Sequence, residues 1–314
     1  MEKETHMRTL MAAAAFAITC VTMPAGSAAQ VPGPTTFATP EQAVDAVIKA
    51  AAAGAPALLT LLGPDGKDLV STGDAVQDQK DRDDFVRLAR EKATIVRDPA
   101  FPNRAVLLIG NDGFPGAIPM IQANGKWSWS SVEGRYEILV RRIGANELDT
   151  IAVCRGYVDA QQEYAAADPD KTGAVQYAQR IISTPGKRDG LYWKSEAGGP
   201  ESPIGEQIAR AIAQGYTSKS EPYHGYFYKV LTAQGPAAPL GAMDFLVRGK
   251  MIGGFALVAW PAQYRVTGVQ TFIISHDGIL YQQDLGADTT KIASAMTRYD
   301  PGKGWTVTED DPQQ

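Results

Sequence analysis

The chain has 314 residues, long enough for two ordinary domains. Its 44% hydrophobic and 21% charged residues are near the globular average, which excludes a wholly disordered polymer. A net charge of −5 without a polybasic run argues against nucleic acid or an anionic membrane as partner, since both require clustered Lys and Arg.

In chain order, Arg8 precedes the apolar run "TLMAAAAFAITCVTM", and "PAGSAAQ" follows with small residues at Ser27 and Ala29. Charge, apolar run and small-residue exit predict a secretory signal peptide over residues 1–29, cleaved near Ala29, and hence a periplasmic or secreted protein. The acidic "MEKETH" ahead of it makes Met7 an alternative start. Lipoprotein anchoring at Cys20 is not expected: Thr19 stands where a small Gly, Ala or Ser is wanted, and the cysteine lies within the apolar run. Removing the signal leaves Cys154 alone, unable to form an internal disulfide, and leaves no stretch long enough to span a bilayer.

Residues 30–38 read as a Pro-rich linker, and residues 39–132 as a first α+β domain. Thr39, Pro40 and Gln42 make a capping box with proline at the first helical position. Val44, Val47, Ile48 and Ala51 then follow at helical spacing, and Gly54 stops the helix. "PALLTLLG" predicts a short second helix. "DQKDRDDFVRLAREKA" predicts a charged third, with Phe85, Leu88 and Ala89 on one side. "AVLLIG" and "AIPMIQANGKWSWSS" read as strands, with Asn124–Gly125 as a hairpin turn because both of its positions require positive φ.

Residues 133–310 read as a second domain, a long helix followed by an antiparallel sheet. The helix is expected from about Tyr136 to Ala167, with Leu148, Ile151, Cys154 and Val158 on an apolar stripe and Asp168–Pro169 at its end. Residues 185–203 are expected to hold little structure. Ser202 and Pro203 open a further helix with Ile204, Ile208 and Ile212 four apart. "HGYFYKVLTAQG", "MDFLVRGKMIGGFALVAWP" and "GVQTFIISHDGILYQQ" are strands turning at Gly249 and Gly278. "DTTKIASAMTRYD" is a closing helix and "GWTVT" a final short strand.

Several of these stretches carry a resemblance. "FATPEQAVDAVIKAA", "RRIGANELDTIAVCRGYVDAQQEYA", "GKMIGGFALVAWPAQY" and "HDGILYQQDLG" resemble a bacterial family of exported proteins, domain-of-unknown-function family 2950. That likeness implies no reaction and no site residues. The first half also resembles the cone-shaped α+β fold of nuclear transport factor 2, with Gly125–Lys126–Trp127 on a late strand. The second half is similar to the globular part of type IV pilins and pseudopilins. A whole domain precedes the pilin-like helix, however, which argues against assembly into a filament.

The chemistry is sparse. His276–Asp277 could be a metal pair or an acid/base dyad, but only His224 and His276 remain after the signal, and Asp277–Gly278 is turn grammar, so a hairpin shoulder is the favoured reading. "DPDKTGAVQYAQ" places Asp168, Asp170, Thr172 and Gly173 as in the opening of a calcium loop, yet neutral Gln179 stands where the bidentate Glu belongs. "GPDGK" (63–67) lacks the spacing and the hydroxyl of a phosphate loop. Cys154 on an apolar stripe reads as buried and unreactive. Tyr226 and Tyr228 share one strand face, with Phe227 opposite and Tyr223 nearby; Trp127 and Trp129 share another. Core packing is the favoured reading of these rings, with an exposed aromatic patch as the alternative.

The sequence therefore points to an exported α+β protein with no catalytic residue, cofactor or metal ligand assigned. It reads first as a non-enzymatic binding or envelope-associated module, whose partner is an unknown protein or small molecule. The alternatives are a small-ligand-binding or hydrolytic enzyme using a pocket in the first half, where Asp74, Asp83 and Asp84 are available, and a pilus or secretion-system accessory.

Overall fold

The computed structural model describes residues 33–71, 75–168, 173–195, 201–205, 209 and 222–308. The signal peptide, the linker up to residue 32, Cys20 and Met7 lie outside the described residues.

Helix α1 (Pro40–Ala53) starts as its grammar requires. The Thr39 hydroxyl accepts from the Gln42 N–H at 3.3 Å, and the Gln42 side chain accepts from Ala38 N–H at 3.2 Å. Helices α2 (Ala55–Leu62), α3 (Lys67–Val70) and α4 (Ala75–Glu91) follow. The strands are β1 (Ala93–Asp98), β2 (Phe101–Ile109), β3 (Phe114–Pro115), β4 (Met120–Ala123) and β5 (Lys126–Trp129), ordered β1-β2-β4-β5 with β3 paired to β2 and all neighbours antiparallel.

Strand β1 is a correction, because the helical reading ran through Ala93. The β-branched Thr94, Ile95 and Val96 favour a pleated surface, and pairing with Leu108, Leu107 and Val106 supplies their partners. Asn124 and Gly125 both take positive φ, 51° and 74°, so the β4–β5 hairpin turns where expected. Along β2, Ala105, Leu107 and Ile109 face the helices and are buried with Trp127 and Trp129. The Trp129 indole donates to the Ala43 carbonyl at 3.1 Å and ties the sheet to α1.

Helix α5 (Ser131–Ala167) starts a turn and a half before the expected Tyr136. Its cap is Ser130, whose hydroxyl accepts from the Glu133 N–H at 3.3 Å. At 1.5 Å per residue it is about 55 Å long. Its first turns pack against the first half, where Gly134 lies so close to Ile118 that a Cβ would meet it at 3.0 Å. Its later turns lie over the second sheet. Ile151, Cys154 and Val158 are buried there, but Leu148 is 60% exposed and leaves the expected stripe.

Strands β6 (Arg180–Ile182) and β7 (Gly190–Tyr192) pair in parallel, so structure occupies part of the stretch expected to hold little. Ile204 is buried; Ile208 and Ile212 lie outside the described residues. Next come β8 (Tyr226–Leu231), β9 (Ala233–Gln234), β10 (Met243–Asp244), β11 (Leu246–Val247) and β12 (Lys250–Met251). The chain ends with β13 (Ala256–Pro261), β14 (Gln270–Ser275), β15 (Leu280–Asp284), α6 (Thr289–Ala295) and β16 (Thr306–Val307). The main sheet is antiparallel in the order β16-β15-β14-β13-β8. Strand β13 is buried along its whole length, as an interior strand of a sheet covered on both faces must be.

The architecture is mixed α+β, with several antiparallel sheets. Its buried apolar side chains form two clusters, one around α1, α2 and β2 and the other around α5, β8, β13 and β14.

Candidate functional site

The helices of the first half close over the inner face of their sheet without filling the space between. A cavity of about 510 Å³ remains, lined by α1 to α5 and by strands β2, β3 and β5. That size is within the roughly 300–1,000 Å³ of small-molecule sites. The walls are mostly apolar: Val47, Leu62, Phe85, Leu107, Trp129 and Ile138 are among them.

Four charged side chains interrupt these walls: Asp78, Asp81 and Arg82 from α4 and Arg141 from α5. Asp78 is only 7% exposed, and one of its carboxylate oxygens accepts the Ser71 hydroxyl at 3.0 Å. Arg141 is pinned, with Nε on Glu137 at 3.0 Å, Nη1 donating to the Pro115 carbonyl at 2.8 Å, and the guanidinium over the Phe114 ring. Arg82 is not. Its Nη2 donates to Gln79 Oε1 at 2.8 Å, while its Nε is buried without a hydrogen-bond partner.

The carboxylates available from the sequence are elsewhere. Asp84 pairs with Arg87 at 3.2 Å on the outer face of α4, and Asp83 accepts from Gln79 at 2.9 Å. Neither lines the cavity, and Asp74 lies outside the described residues. Asp78, Asp81 and Arg82 were missed although a signal existed. With Phe85 they are spaced i, i+3, i+4, i+7, the inward stripe of α4, where charge is out of place.

His276–Asp277 is a turn, as the glycine after it indicates. One Asp277 oxygen accepts from the Ser275 hydroxyl at 2.8 Å and from Ile279 N–H at 3.1 Å, and the other from the Tyr299 hydroxyl at 3.4 Å. His276 is more than a bystander to the packing. Its ring stands edge-on to Phe245 and Phe255, and its Nδ1 is buried without a partner. The histidine that does meet a carboxylate is His224, 2.7 Å from Asp149 of α5. His224 and Gly225 both take positive φ in the tight turn leading into β8, so the pair fastens that turn to the helix. The two residues are 75 positions apart, and no local pattern connects them.

The remaining candidates are occupied by structure. Asp168 is the left-handed cap of α5 and accepts from Gly173 N–H at 2.8 Å, while Gln179 donates to the Gly249 carbonyl at 2.8 Å. Asp170 and Thr172 lie outside the described residues. Gly63–Lys67 forms a 3-10 turn entering α3, with Asp68 on Arg135 at 2.9 Å. Burial pushes the Cys154 thiol up to about 12, only partly opposed by the Arg155 charge, which makes it a poor nucleophile. Tyr226, Tyr228, Trp127 and Trp129 are buried, so the core reading of these four rings holds. Among the described residues no three His, Cys, Asp or Glu side chains converge on a metal position, and no helix is long and apolar enough to cross a membrane.

Fold and cavity together define a mixed α+β protein with a partly open, largely apolar chamber and a few charged groups in its wall. The chain belongs to the family described as "Protein of unknown function (DUF2950)", whose model matches residues 34–308. No curated protein and no solved structure matches it.

Proposed function

We propose that the chain is a binding module and that the chamber of the first half holds a small, mostly apolar molecule with one polar end. The chamber itself carries this reading: a first half packed solid with its own Val, Leu and Trp side chains would have had no room for a ligand, and about 510 Å³ is open. At roughly 30 Å³ per water-sized group, that volume accommodates on the order of fifteen such groups. A buried donor without a partner costs about 1–3 kcal/mol. An acceptor oxygen on the ligand would relieve Arg82 Nε of that cost, and apolar atoms would suit the rest of the wall.

The finer architecture belongs to the same proposal. The helix-covered antiparallel sheet of the first half supports a cone like that of nuclear transport factor 2. The long helix over an antiparallel meander supports a pilin-like second half. The division near residue 132 and export by the N-terminal signal rest on the sequence.

Calorimetric titration with decanoate, decanol and decylamine tests the reading. Decanoate or decanol should bind, and Ala117→Phe, which places a ring in the chamber, should abolish binding while the circular dichroism spectrum is retained. Absence of binding by all three probes, or binding indifferent to Ala117→Phe in a folded variant, would reject it.

A further inference from the structure

A second cleft, of about 500 Å³, lies in the other half beneath the segment that joins and follows β6 and β7. Its chemistry is different. Lys187, Arg188 and Lys194 flank it with Tyr192 and Trp193, and the Arg188 guanidinium stands 5.7 Å from the Trp193 ring centroid.

The segment is held in shape from within. Thr184 gives both its N–H, at 2.7 Å, and its hydroxyl, at 2.8 Å, to the Asp189 carboxylate. Ser183 Oγ bonds to the Gly190 N–H at 3.0 Å, and the Tyr164 hydroxyl of α5 donates to the Arg188 carbonyl at 2.8 Å. The acid of the loop is therefore committed to its own backbone, while Lys187, Arg188 and Lys194 form no ion pair among the described residues. Three cations in one cleft, without an ion pair among the described residues, run against a chain whose net charge is −5.

Lysine and arginine side chains carry many N–H donors and no acceptor. A cleft of this composition suits a ligand rich in acceptor oxygens and bearing negative charge. The Tyr192 and Trp193 rings add a surface for a flat apolar face, with partial negative charge above the ring to receive polarised C–H groups. A sugar ring carrying an acid group combines all three properties.

We propose that this cleft binds an anionic sugar. Its carboxylate or phosphate is held by Lys187, Arg188 and Lys194, and the C–H face of its ring lies against Tyr192 and Trp193.

The test uses the mature chain titrated with glucuronate, glucose 6-phosphate, glucose and inorganic phosphate, by calorimetry and by chemical-shift changes. At least one anionic sugar should bind, more tightly than glucose and than inorganic phosphate, and more weakly as salt rises. Glucuronate against glucose 6-phosphate decides which acid group fits. The double variant Lys187→Gln, Arg188→Gln should weaken binding ~10-fold or more, as expected for lost charge-assisted contacts. Trp193→Leu should weaken it with less effect on the salt dependence. Arg87→Gln, on the outer face of α4, should leave it unchanged. The proposal fails if neither anionic sugar binds, if glucose binds as well as they do, if inorganic phosphate matches the sugar phosphate, or if the double variant binds normally while folded.

Discussion

Single side chains divide here into those that complete a turn and those that only fill space. Asp277 satisfies a hydroxyl and a backbone amide within its own turn and a tyrosine hydroxyl from beyond it. Asp277→Ala should therefore cost about 1–3 kcal/mol in urea denaturation, the usual result of leaving buried donors without an acceptor. His276→Leu should be close to neutral, because it keeps bulk between Phe245 and Phe255 and removes the unpartnered Nδ1. Asp189 carries a pH dependence. Burial raises its pKa, but the Thr184 amide and hydroxyl and the Arg180 charge lower it further, so the net shift is downward. A depressed carboxylate stabilises the fold above its unfolded value, near 3.9, and loses that contribution as pH falls through the folded value. Protection factors of the amides in residues 183–190 should therefore hold steady at pH 5–7 and fall selectively below about pH 4. Unchanged protection across that range would contradict the Thr184–Asp189 clasp.

Elements follow local rules until a tertiary contact outweighs them, and α5 shows both cases. Ser130→Ala removes its cap and should cost about 1 kcal/mol. Gly156 sits within the helix with open space where a Cβ would go, so Gly156→Ala should stabilise by about 0.5–1 kcal/mol in thermal unfolding. The Ser130-x-x-Glu133 box was readable in the sequence, as Thr39-x-x-Gln42 was, yet the apolar periodicity from Tyr136 onward drew the start too late. Hairpins marked by Asn124–Gly125 and Asp277–Gly278 were legible because a positive φ leaves few residue choices. Strand β1 was not, because its pairing with β2 decides it and charged Arg97 and Asp98 continue the polarity of α4. The chamber was half legible. Its apolar wall could be read from α1, but Asp78, Asp81 and Arg82 look like a solvated helix face unless the inward stripe is counted through to Phe85. His224–Asp149 was out of reach, since only the packing of β8 against α5 brings the two together.

At the scale of the whole molecule, α5 bonds to both halves, while its buried apolar side chains belong to the second core. Ser131 donates to the Leu62 carbonyl, and Glu133 and Arg141 bond to Arg104 and the Pro115 carbonyl of the first half. Asn146 donates to the Thr267 carbonyl, and Glu147 accepts from Val269 and Gln270 N–H of the second. Gly144 lies between these two sets. If the helix carries the coupling, the native chain should unfold in one transition, with Trp127 and Trp129 reporting on the first core and Trp193, Trp260 and Trp305 on the second. Gly144→Pro tests this directly, because proline removes a helical hydrogen bond and clashes with the preceding turn, at about 3 kcal/mol or more. Each core keeps its own apolar cluster in that variant, so neither should be lost outright. The expected result is two separated transitions in urea, followed by circular dichroism and by NMR signals assigned to each half. A single transition shifted to lower urea would show instead that contacts other than α5 hold the halves together.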